Sequence, residues 1–199
     1  GSLTFSLLLT HPTPLSLQAL PPLALATALG ISRALSACLA TTRSTQADPA
    51  AMLKWPNDVV VGDRKICGVL VEPSPATPQA LSAVVVGVGV NVNNAIDPDL
   101  AELATSLAEQ LGCSTPLTDC LIGILDEIHS EIQAWRDRDA KLPERWNAAC
   151  RDLGRQVTVQ TPNAEVAGTC RGIDSAGRLL VEDSDGTLTR VVSTVVESE

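Results

Sequence analysis

The residues best suited to chemistry lie close together in the stretch MLKWPNDVVVGDRKICGVLVE, residues 52–72. Basic, acidic and amide side chains occur there between long apolar runs: Lys54, Asn57, Asp58, Arg64 and Lys65. An ammonium group fixed beside a carboxylate can neutralise an anionic substrate, such as a phosphate or a carboxylate. The same residue types also form ordinary turns, because Pro-Asn-Asp favours tight turns. Both interpretations of Asn57 and Asp58 stay open on this pattern alone.

Lys65 begins a predicted strand, and its neighbours bear on its role. Strand alternation puts Lys65 on the face of Cys67 and Val69. Gly68 then takes the opposite face with other apolar residues, so we expect a strand that is buried on both sides. A lysine at the end of such a strand is either solvated or directed at an anion, and the room beside Gly68 favours the anion. For Arg64 we favour a solvated turn.

The segment GVGVNV, residues 87–92, is a second candidate site. With period-two alternation its valines share one face, while Gly87, Gly89 and Asn91 share the other. The valine face is typical of a core, and the glycine face allows close approach to the backbone. Either a helix packs tightly on that face, or a flat ligand lies there with the Asn91 amide offering a donor and an acceptor. Val92 replaces the third glycine of a dinucleotide-binding loop, which argues against that fold.

Hydrophobic patterning predicts the elements that position these residues. The first half is predicted to contain, in order, a strand (3–9), a buried helix (17–40), a polar loop (41–50), a hairpin turn at residues 62 and 63, a loop (73–78) and a strand (81–92). A core made by this helix and these strands is an α/β arrangement of two layers.

The second half is predicted to begin with two helices. We expect one from a Thr115 N-cap to about Arg138, with Pro116 at its first position, and a shorter one over 142–153. Glu131 is expected on the solvated side of the longer helix. After Gly154 come four short strands separated by turn residues, which suggest a small barrel or sandwich appended to the main domain.

Composition excludes several classes of function. The net charge of -9 lacks the basic surface that nucleic-acid binding needs. Six scattered cysteines contain no C-x-x-C pair, which argues against a zinc site and for reduced thiols in a cytoplasm. The apolar segment 15–29 contains Gln18 and two prolines with no basic region before it, so neither a membrane span nor a signal peptide is expected.

Three motifs occur in a fixed order: Lys-Trp-Pro-Asn-Asp at 54–58, Arg-Lys-x-x-Gly at 64–68 and Gly-x-Gly-x-Asn at 87–91. In this combination the chain resembles the biotin protein ligases, also called biotin-[acetyl-CoA-carboxylase] ligases. The segments ATSL (104–107) and GIDSAGRLLVED (172–183) also look like the family. The resemblance implies an α/β fold: a partial ligase catalytic domain, a mixed sheet with helices, at 1–153, and a small SH3-like β-barrel at 154–199.

The resemblance also implies a reaction in two steps. Biotin and ATP, with Mg²⁺, form biotinyl-5'-adenylate, and the biotinyl group then passes to a lysine of a biotin carrier domain of a carboxylase. Lys65 would contact the biotin carboxylate and the phosphate, and Asp58 would hold the nucleotide end through Mg²⁺ or by orienting Lys65. The remaining implied contacts are Gly68, Lys54 and Asn57 at biotin and phosphate, and Asn91 and Gly89 at adenine.

One part of the family pattern does not occur in this sequence. The family has a Gly-Arg-Gly-Arg loop on the N-terminal side of these motifs, which folds over biotin and the adenylate. We therefore expect the chain to be a fragment of a longer ligase. The alternatives are a truncated remnant that binds adenylate or carrier protein without turnover, and a relative of the lipoate ligases.

Overall fold

The computed structural model describes residues 1–40, 50–74, 81–162 and 164–192, and the side chains of 11–14, 81 and 82 are not described. The strands are β1 (Leu3–Leu15), β2 (Ala51–Lys54), β3 (Asp58–Val61), β4 (Arg64–Ser74), β5 (Leu81–Val90), β6 (Gln156–Gln160), β7 (Glu165–Ile173), β8 (Leu179–Glu182) and β9 (Leu188–Val191). The α-helices are α1 (Leu20–Ala40), α2 (Leu107–Leu111), α3 (Leu117–Arg136) and α4 (Leu142–Ala148). Residues 41–49 of the predicted loop at 41–50 and residues 75–78 of the loop at 73–78 lie outside the described residues.

Five strands form the main sheet in the order β1-β5-β4-β3-β2, with antiparallel pairing between neighbours. Two isolated parallel bridges, Leu53 with Cys150 and Lys65 with Ala104, add parallel pairing to this sheet. The predicted α/β class is confirmed, and all the strand pairs of this sheet are antiparallel. The hairpin turn at residues 62 and 63 is also confirmed, and Gly62 adopts the positive φ of 62° that such a turn requires.

One face of this sheet is covered by α1, and α3 packs on the other side of α1. The valines of β5 form the core face as predicted, because Val84, Val86, Val88 and Val90 are all buried. Helix α1 is long and apolar enough to cross a membrane, but 67% of its most apolar window is buried inside the protein. Gly30 allows α1 and α3 to approach closely, since a Cβ there would lie 2.8 Å from the Glu127 carbonyl oxygen.

Glu131 on α3 is buried, and its predicted position on the solvated face is wrong. Its side chain is only 3% exposed and pairs with two arginines. Arg33 of α1 donates to Oε1, and the Nη2 of Arg145 in α4 lies 2.9 Å from Oε2. The partners come from elements distant in sequence, so the pattern of α3 alone could not show that this carboxylate would be neutralised.

The N-terminus of α3 also differs from the expectation. The N-cap is Pro116, and the predicted cap residue Thr115 lies outside the helix. The backbone of Thr115 is held by Asn93, whose Oδ1 accepts from the Thr115 N–H (2.9 Å) and whose Nδ2 donates to the Thr115 carbonyl (2.7 Å). This pair anchors the loop that follows β5.

The remaining strands form a second antiparallel sheet in the order β6-β7-β8-β9. All four predicted strands are present among the described residues, whereas 193–199 lie outside them. Closure of this sheet into an SH3-like barrel, and the division of the chain at residues 153 and 154, stay predictions.

The second sheet is attached to the first through a turn that contains Gly177. The Trp55 indole N–H donates to the Gly177 carbonyl oxygen at 3.1 Å. Gly177 has a φ of 78°, and a Cβ there would lie 2.8 Å from Leu25 Cδ1 in α1. Trp55 is half-buried against the core, and it also ties the second sheet to the turn before β3, which contains Asn57.

We expect Glu131→Gln to lower the free energy of unfolding by about 2 kcal/mol, because two guanidinium groups lose their shared charged acceptor. Urea unfolding measures the change. The matched control is Asp126→Asn, which removes the same charge from an exposed position of α3 and should cost less than about 0.5 kcal/mol. Equal losses in the two variants would contradict a stabilising role for the buried carboxylate.

Candidate active site

An extra residue in β4 determines where the Lys65 side chain lies. Val59 pairs with Cys67, but the next residue, Val60, pairs with Lys65, so Ile66 is a β-bulge. The bulge breaks the alternation, and Lys65 lies on the face of Gly68. The prediction that Lys65 shares the face of Cys67, which is buried in the core, is therefore wrong.

The uncovered face of the sheet carries a row of residues that lie opposite one another across all five strands. In strand order they are Thr4, Gly89, Gly68, Asp58 and Lys54, which we call the glycine row. Neighbouring strands are about 4.8 Å apart, so the two glycines open a stretch of bare backbone about one ring wide. The expected burial of β4 on both sides is wrong, since Leu70 beside the row is 50% exposed.

Lys65 and Asp58 form an ion pair beside this row. Lys65 Nζ lies 2.7 Å from Asp58 Oδ1, and the two side chains are 49% and 25% exposed. A Cβ on Gly68 would lie 3.0 Å from both Cε and Nζ of Lys65. The lysine side chain therefore crosses directly over Gly68, which is the room that the sequence predicted. A half-exposed ammonium held by one carboxylate can still meet an incoming anion.

The backbone of Lys65 is fixed by a segment that the strand pattern does not predict. The Lys65 N–H donates to the Leu103 carbonyl (2.8 Å), and the Thr105 N–H donates to the Lys65 carbonyl (2.9 Å). Arg64 turns away from the row and pairs with Glu109. A hydrogen bond from Arg64 lowers the pKa of this carboxyl against a small opposing effect of desolvation. Arg64 is the first residue of β4 instead of part of the expected solvated turn, and its partly exposed side chain pairs with Glu109.

Asn57 contributes to the site mainly by holding two strands together. Its Nδ2 donates to the Val69 carbonyl oxygen (2.6 Å), and its own carbonyl accepts from the Val69 N–H (3.0 Å). The amide thus continues the pairing of β3 and β4 at the point where β3 begins. Asn57 also lines the concavity described next.

An open concavity of about 380 Å³ lies on the uncovered face. Its lining residues are Thr4, Phe5, Ser6, Asn57, Lys65, Gly68, Val69, Leu70, Gly87, Val88 and Gly89. Within the described part of the chain, Lys65 is the only charged residue in this lining. A Cβ on Gly89 would meet no atom within 4 Å, so no described helix packs on the glycine face. Of the two interpretations of this face, the structure favours the open ligand surface.

Asn91 lies beyond the end of β5 and close to the lysine. Its N–H donates to the carbonyl of Ile66 (2.9 Å), the residue after Lys65, and its carbonyl accepts from Leu107 N–H (3.0 Å). Asn91 Oδ1 accepts a hydrogen bond from Asn94 Nδ2 (3.1 Å). The residues predicted to meet adenine, Gly89 and Asn91, are thus at the same end of the sheet as Lys65.

Lys54 belongs to the glycine row by register but lines a different space. It is exposed and borders a cleft of about 520 Å³ between the two sheets, together with Trp55, Arg151 and the residues of β6. The structure therefore brings Lys65, Asp58, Asn57, Gly68 and Gly89 together, with Asn91 at the edge and Lys54 on the neighbouring cleft.

Metal binding at this site would rest on few protein ligands. Among the described residues, no group of three or more His, Cys, Asp or Glu side chains could hold a metal ion. Asp58 is the carboxylate beside Lys65, and Mg²⁺ in nucleotide sites commonly takes one or two carboxylates with phosphate oxygens and water. Asp58 therefore fits one ligand of a phosphate-bound ion and does not form a closed protein site.

Two family models match this chain. The biotin/lipoate A/B protein ligase family matches residues 1–91, and the biotin protein ligase C-terminal domain matches residues 152–196. The chain belongs to the biotin protein ligase family. All the predicted site residues of this family member lie in the first matched region, and the second sheet lies in the second.

Two curated relatives show how much of a biotin protein ligase this chain spans. The biotin--[acetyl-CoA-carboxylase] ligase of Mycobacterium tuberculosis is 36% identical over 135 residues, which are 65% of this chain and 47% of that protein. The ligase of the same name from Paracoccus denitrificans is 34% identical over 146 residues, 69% of this chain and 60% of that protein. The chain thus spans about half the length of the curated relatives it matches.

The fold is also similar to a solved biotin protein ligase. The Aquifex aeolicus enzyme in complex with biotin and ATP has a TM-score of 0.80 and 25% identity, covering 97% of this chain and 76% of that one. This similarity extends over both sheets, because nearly the whole chain is matched.

Three features of the site were missed by reasoning from the sequence. The bulge at Ile66 has no signal in a strand pattern, and the segment Leu103–Thr105 is distant in sequence from Lys65. The contact between Asn94 and Asn91 could have been suspected, because VNVNN places several amides in one loop, but its direction depends on the fold.

We expect Cys67 to resist alkylation while Cys113 reacts. Burial raises the pKa of the Cys67 thiol to about 12, an effect that the Lys65 ammonium reduces and the Asp58 carboxylate reinforces. Cys67 is therefore neutral at pH 8, whereas Cys113 is exposed. Iodoacetamide treatment of the folded protein followed by peptide mass mapping checks this. Similar alkylation rates at both residues would contradict the described packing around Lys65.

Proposed function

We propose that this chain acts as a biotin protein ligase, which activates biotin with ATP and transfers it to a carrier lysine. The observation that carries the proposal is the ion-paired Lys65 placed over Gly68, at the end of an open glycine surface. Family membership supplies the reaction, and the Aquifex aeolicus relative was solved with biotin and ATP bound. The geometry supports Lys65 as the point at which biotin and ATP would meet.

The bare backbone of the glycine row suits the flat, largely apolar body of biotin. Gly68 and Gly89 lie opposite each other, and Leu70 and Gly87 form the next pair along the strands. Leu70 is half exposed and can cover an apolar chain or ring laid on the glycines. A carboxylate at the end of such a chain would then reach the Lys65 ammonium.

The first step joins two anions. The biotin carboxylate oxygen attacks the α-phosphorus of ATP, the new O–P bond forms, and the bond to pyrophosphate breaks. Repulsion between the carboxylate and the phosphate opposes this approach, and an ammonium fixed between them reduces that repulsion. Lys65 is held for this role by Asp58 at its Nζ and by Leu103 and Thr105 at its backbone.

In the second step, a neutral amine of the carrier lysine attacks the biotinyl carbonyl carbon, and AMP leaves. The new amide loses one proton, and the phosphate of AMP retains the electrons of the broken bond. This step needs the mixed anhydride to survive until the carrier arrives, so water must be kept from it. Because the described concavity is open, we assign its covering to the carrier domain.

The nucleotide would extend from Lys65 towards Asn91, which supports adenine contacts for Asn91 and Gly89 at that end. Asp58 would orient Lys65 and give one oxygen ligand to a Mg²⁺ ion bound by the phosphates. Asn57 would keep β3 in place beside the phosphate. We assign Lys54 a supporting role, as positive potential from the neighbouring cleft, because it does not line the concavity.

The same proposal covers the setting of the protein. We place it in the cytoplasm, and the scattered cysteines, which form no C-x-x-C pair, support a reducing compartment. Its macromolecular partner would be a biotin carrier domain of a carboxylase, as the names of the relatives suggest. The second sheet would complete an SH3-like barrel.

Biotin-dependent exchange of pyrophosphate into ATP tests the proposal directly. We expect exchange by the chain, or by a longer chain that supplies the upstream loop of the family, and no exchange without biotin. The same assay with lipoate in place of biotin distinguishes biotin activation from lipoate activation, since the matched family includes ligases for both acids. Exchange with lipoate alone would replace the proposed substrate, and absence of exchange with both acids and in both chains would refute the function.

We expect Lys65→Ala to lower the exchange rate by about 100-fold or more, because the fixed cation is removed from the point where two anions meet. Arg64→Ala is the matched control, since it removes the same charge from the preceding residue, which pairs with Glu109 outside the concavity. This control should stay within about twofold of the unsubstituted chain, a change typical of surface residues. Equal rates for the two variants would remove Lys65 from the reaction.

A further inference from the structure

Asn94 lies beside Asn91 and makes a hydrogen bond in one defined direction. Its Nδ2 donates to Asn91 Oδ1 at 3.1 Å. The backbone of Asn91 is fixed on both sides, by the carbonyl of Ile66 and by the N–H of Leu107. The loop around them is anchored by Asn93 and Thr115. Rotation of the Asn91 side-chain amide is therefore the conformational freedom that remains at this residue, and the hydrogen bond from Asn94 restrains this rotation.

The other end of the Asn94 amide supports a role in this contact. Asn94 Oδ1 is buried and accepts no hydrogen bond from any described residue. A buried carbonyl without a donor is unfavourable, and an apolar side chain of similar shape would avoid that cost. Among the described residues, the hydrogen bond to Asn91 is the side-chain interaction of Asn94 that offsets the cost of burying its amide.

We propose that Asn94 is a positioning residue that fixes the direction of the Asn91 amide and thereby makes the site select adenine. The inference rests on the proposed function, in which Asn91 meets the base. With Asn94 donating to it, Asn91 Oδ1 keeps one lone pair, and Nδ2 keeps both hydrogens. An amide in this orientation matches the 6-amino donor and the neighbouring ring-nitrogen acceptor of adenine.

A purine with an oxygen at position 6 would fit this orientation poorly. In hypoxanthine the 6-amino donor is replaced by a carbonyl acceptor, which would face Asn91 Oδ1 directly. Rotation of the Asn91 amide by half a turn would relieve the conflict by presenting Nδ2 instead. Asn94 opposes that rotation, because its own donor would then face the Nδ2 hydrogens of Asn91 unless the buried Asn94 amide turned as well.

Reversing the polarity of residue 94 tests the inference. Asn94→Asp replaces the donor with a carboxylate, which only accepts, so Asn91 should turn its Nδ2 towards residue 94. We expect the ratio of the dissociation constants for ITP and ATP, measured by calorimetry with Mg²⁺, to fall by about tenfold. Asn94→Leu removes the donor without adding charge and should lower the same ratio by a smaller factor, because the Asn91 amide becomes free to rotate.

Asn93→Asp is the matched control. It makes the same chemical change one residue earlier in the loop, and it removes the donor to the Thr115 carbonyl. We expect lower stability and an unchanged ratio of ITP to ATP binding. A similar fall in this control would show a general effect of charge or loop disorder and would overturn the role of Asn94.

The inference and the proposed function can fail separately. If the unsubstituted chain exchanges pyrophosphate but Asn94→Asp and Asn94→Leu keep its ITP to ATP ratio, the inference is wrong and the function stands. If the chain and its extended form bind no nucleotide, both are wrong. In the nucleotide-free protein, the Asn91 side-chain amide proton resonances should shift downfield in Asn94→Asp, and unmoved resonances would also overturn the inference.

Discussion

The bulge at Ile66 is the constraint on which the site depends. It shifts the register of β4 by one residue, so Lys65 leaves the core face and joins Asp58 on the uncovered face. Without this shift, strand alternation would direct the ammonium at the valine core, where an unpaired charge is very costly. The pairing with Asp58 and the passage over Gly68 follow from that one extra residue.

Helices cover only one face of the main sheet, and the hydrophobic core lies on that face. The opposite face can therefore carry a site. Helix α1 covers the valines, and α3 packs behind it at Gly30. Three helices also meet at the buried Glu131, which receives Arg33 and Arg145. The uncovered face is therefore free to carry glycines, which contribute little packing but leave backbone accessible to a ligand.

The second sheet influences the same region through a small number of contacts. Trp55 precedes the segment that carries Asn57 and Asp58, and its indole is held by Gly177 of the second sheet. The Ile173 N–H donates to Asn147 Oδ1 of α4 at 2.8 Å, which gives a second attachment. Trp55 shows how the position of the second sheet could affect residues of the first.

The sequence by itself determined the order of elements, and it predicted several residues that the structure brings together on the uncovered face. Periodicity of 3.6 and of 2 is a local property, so it predicts α1, β5 and the four strands after Gly154 well, and the three motifs identify the family. The sequence also predicted that Gly68 makes room for Lys65 and that the valines of β5 face a core.

Only the tertiary structure decided the face on which Lys65 lies, the burial of Glu131 and the direction of the Asn94 hydrogen bond. In each case the deciding partner is an atom brought close by folding. Cys67 pairs with Val59 on the neighbouring strand, and Glu131 meets arginines from α1 and α4. Asn91 is fixed by backbone groups of other elements. Register and charge neutralisation depend on such neighbours, and a residue's own sequence context does not contain them.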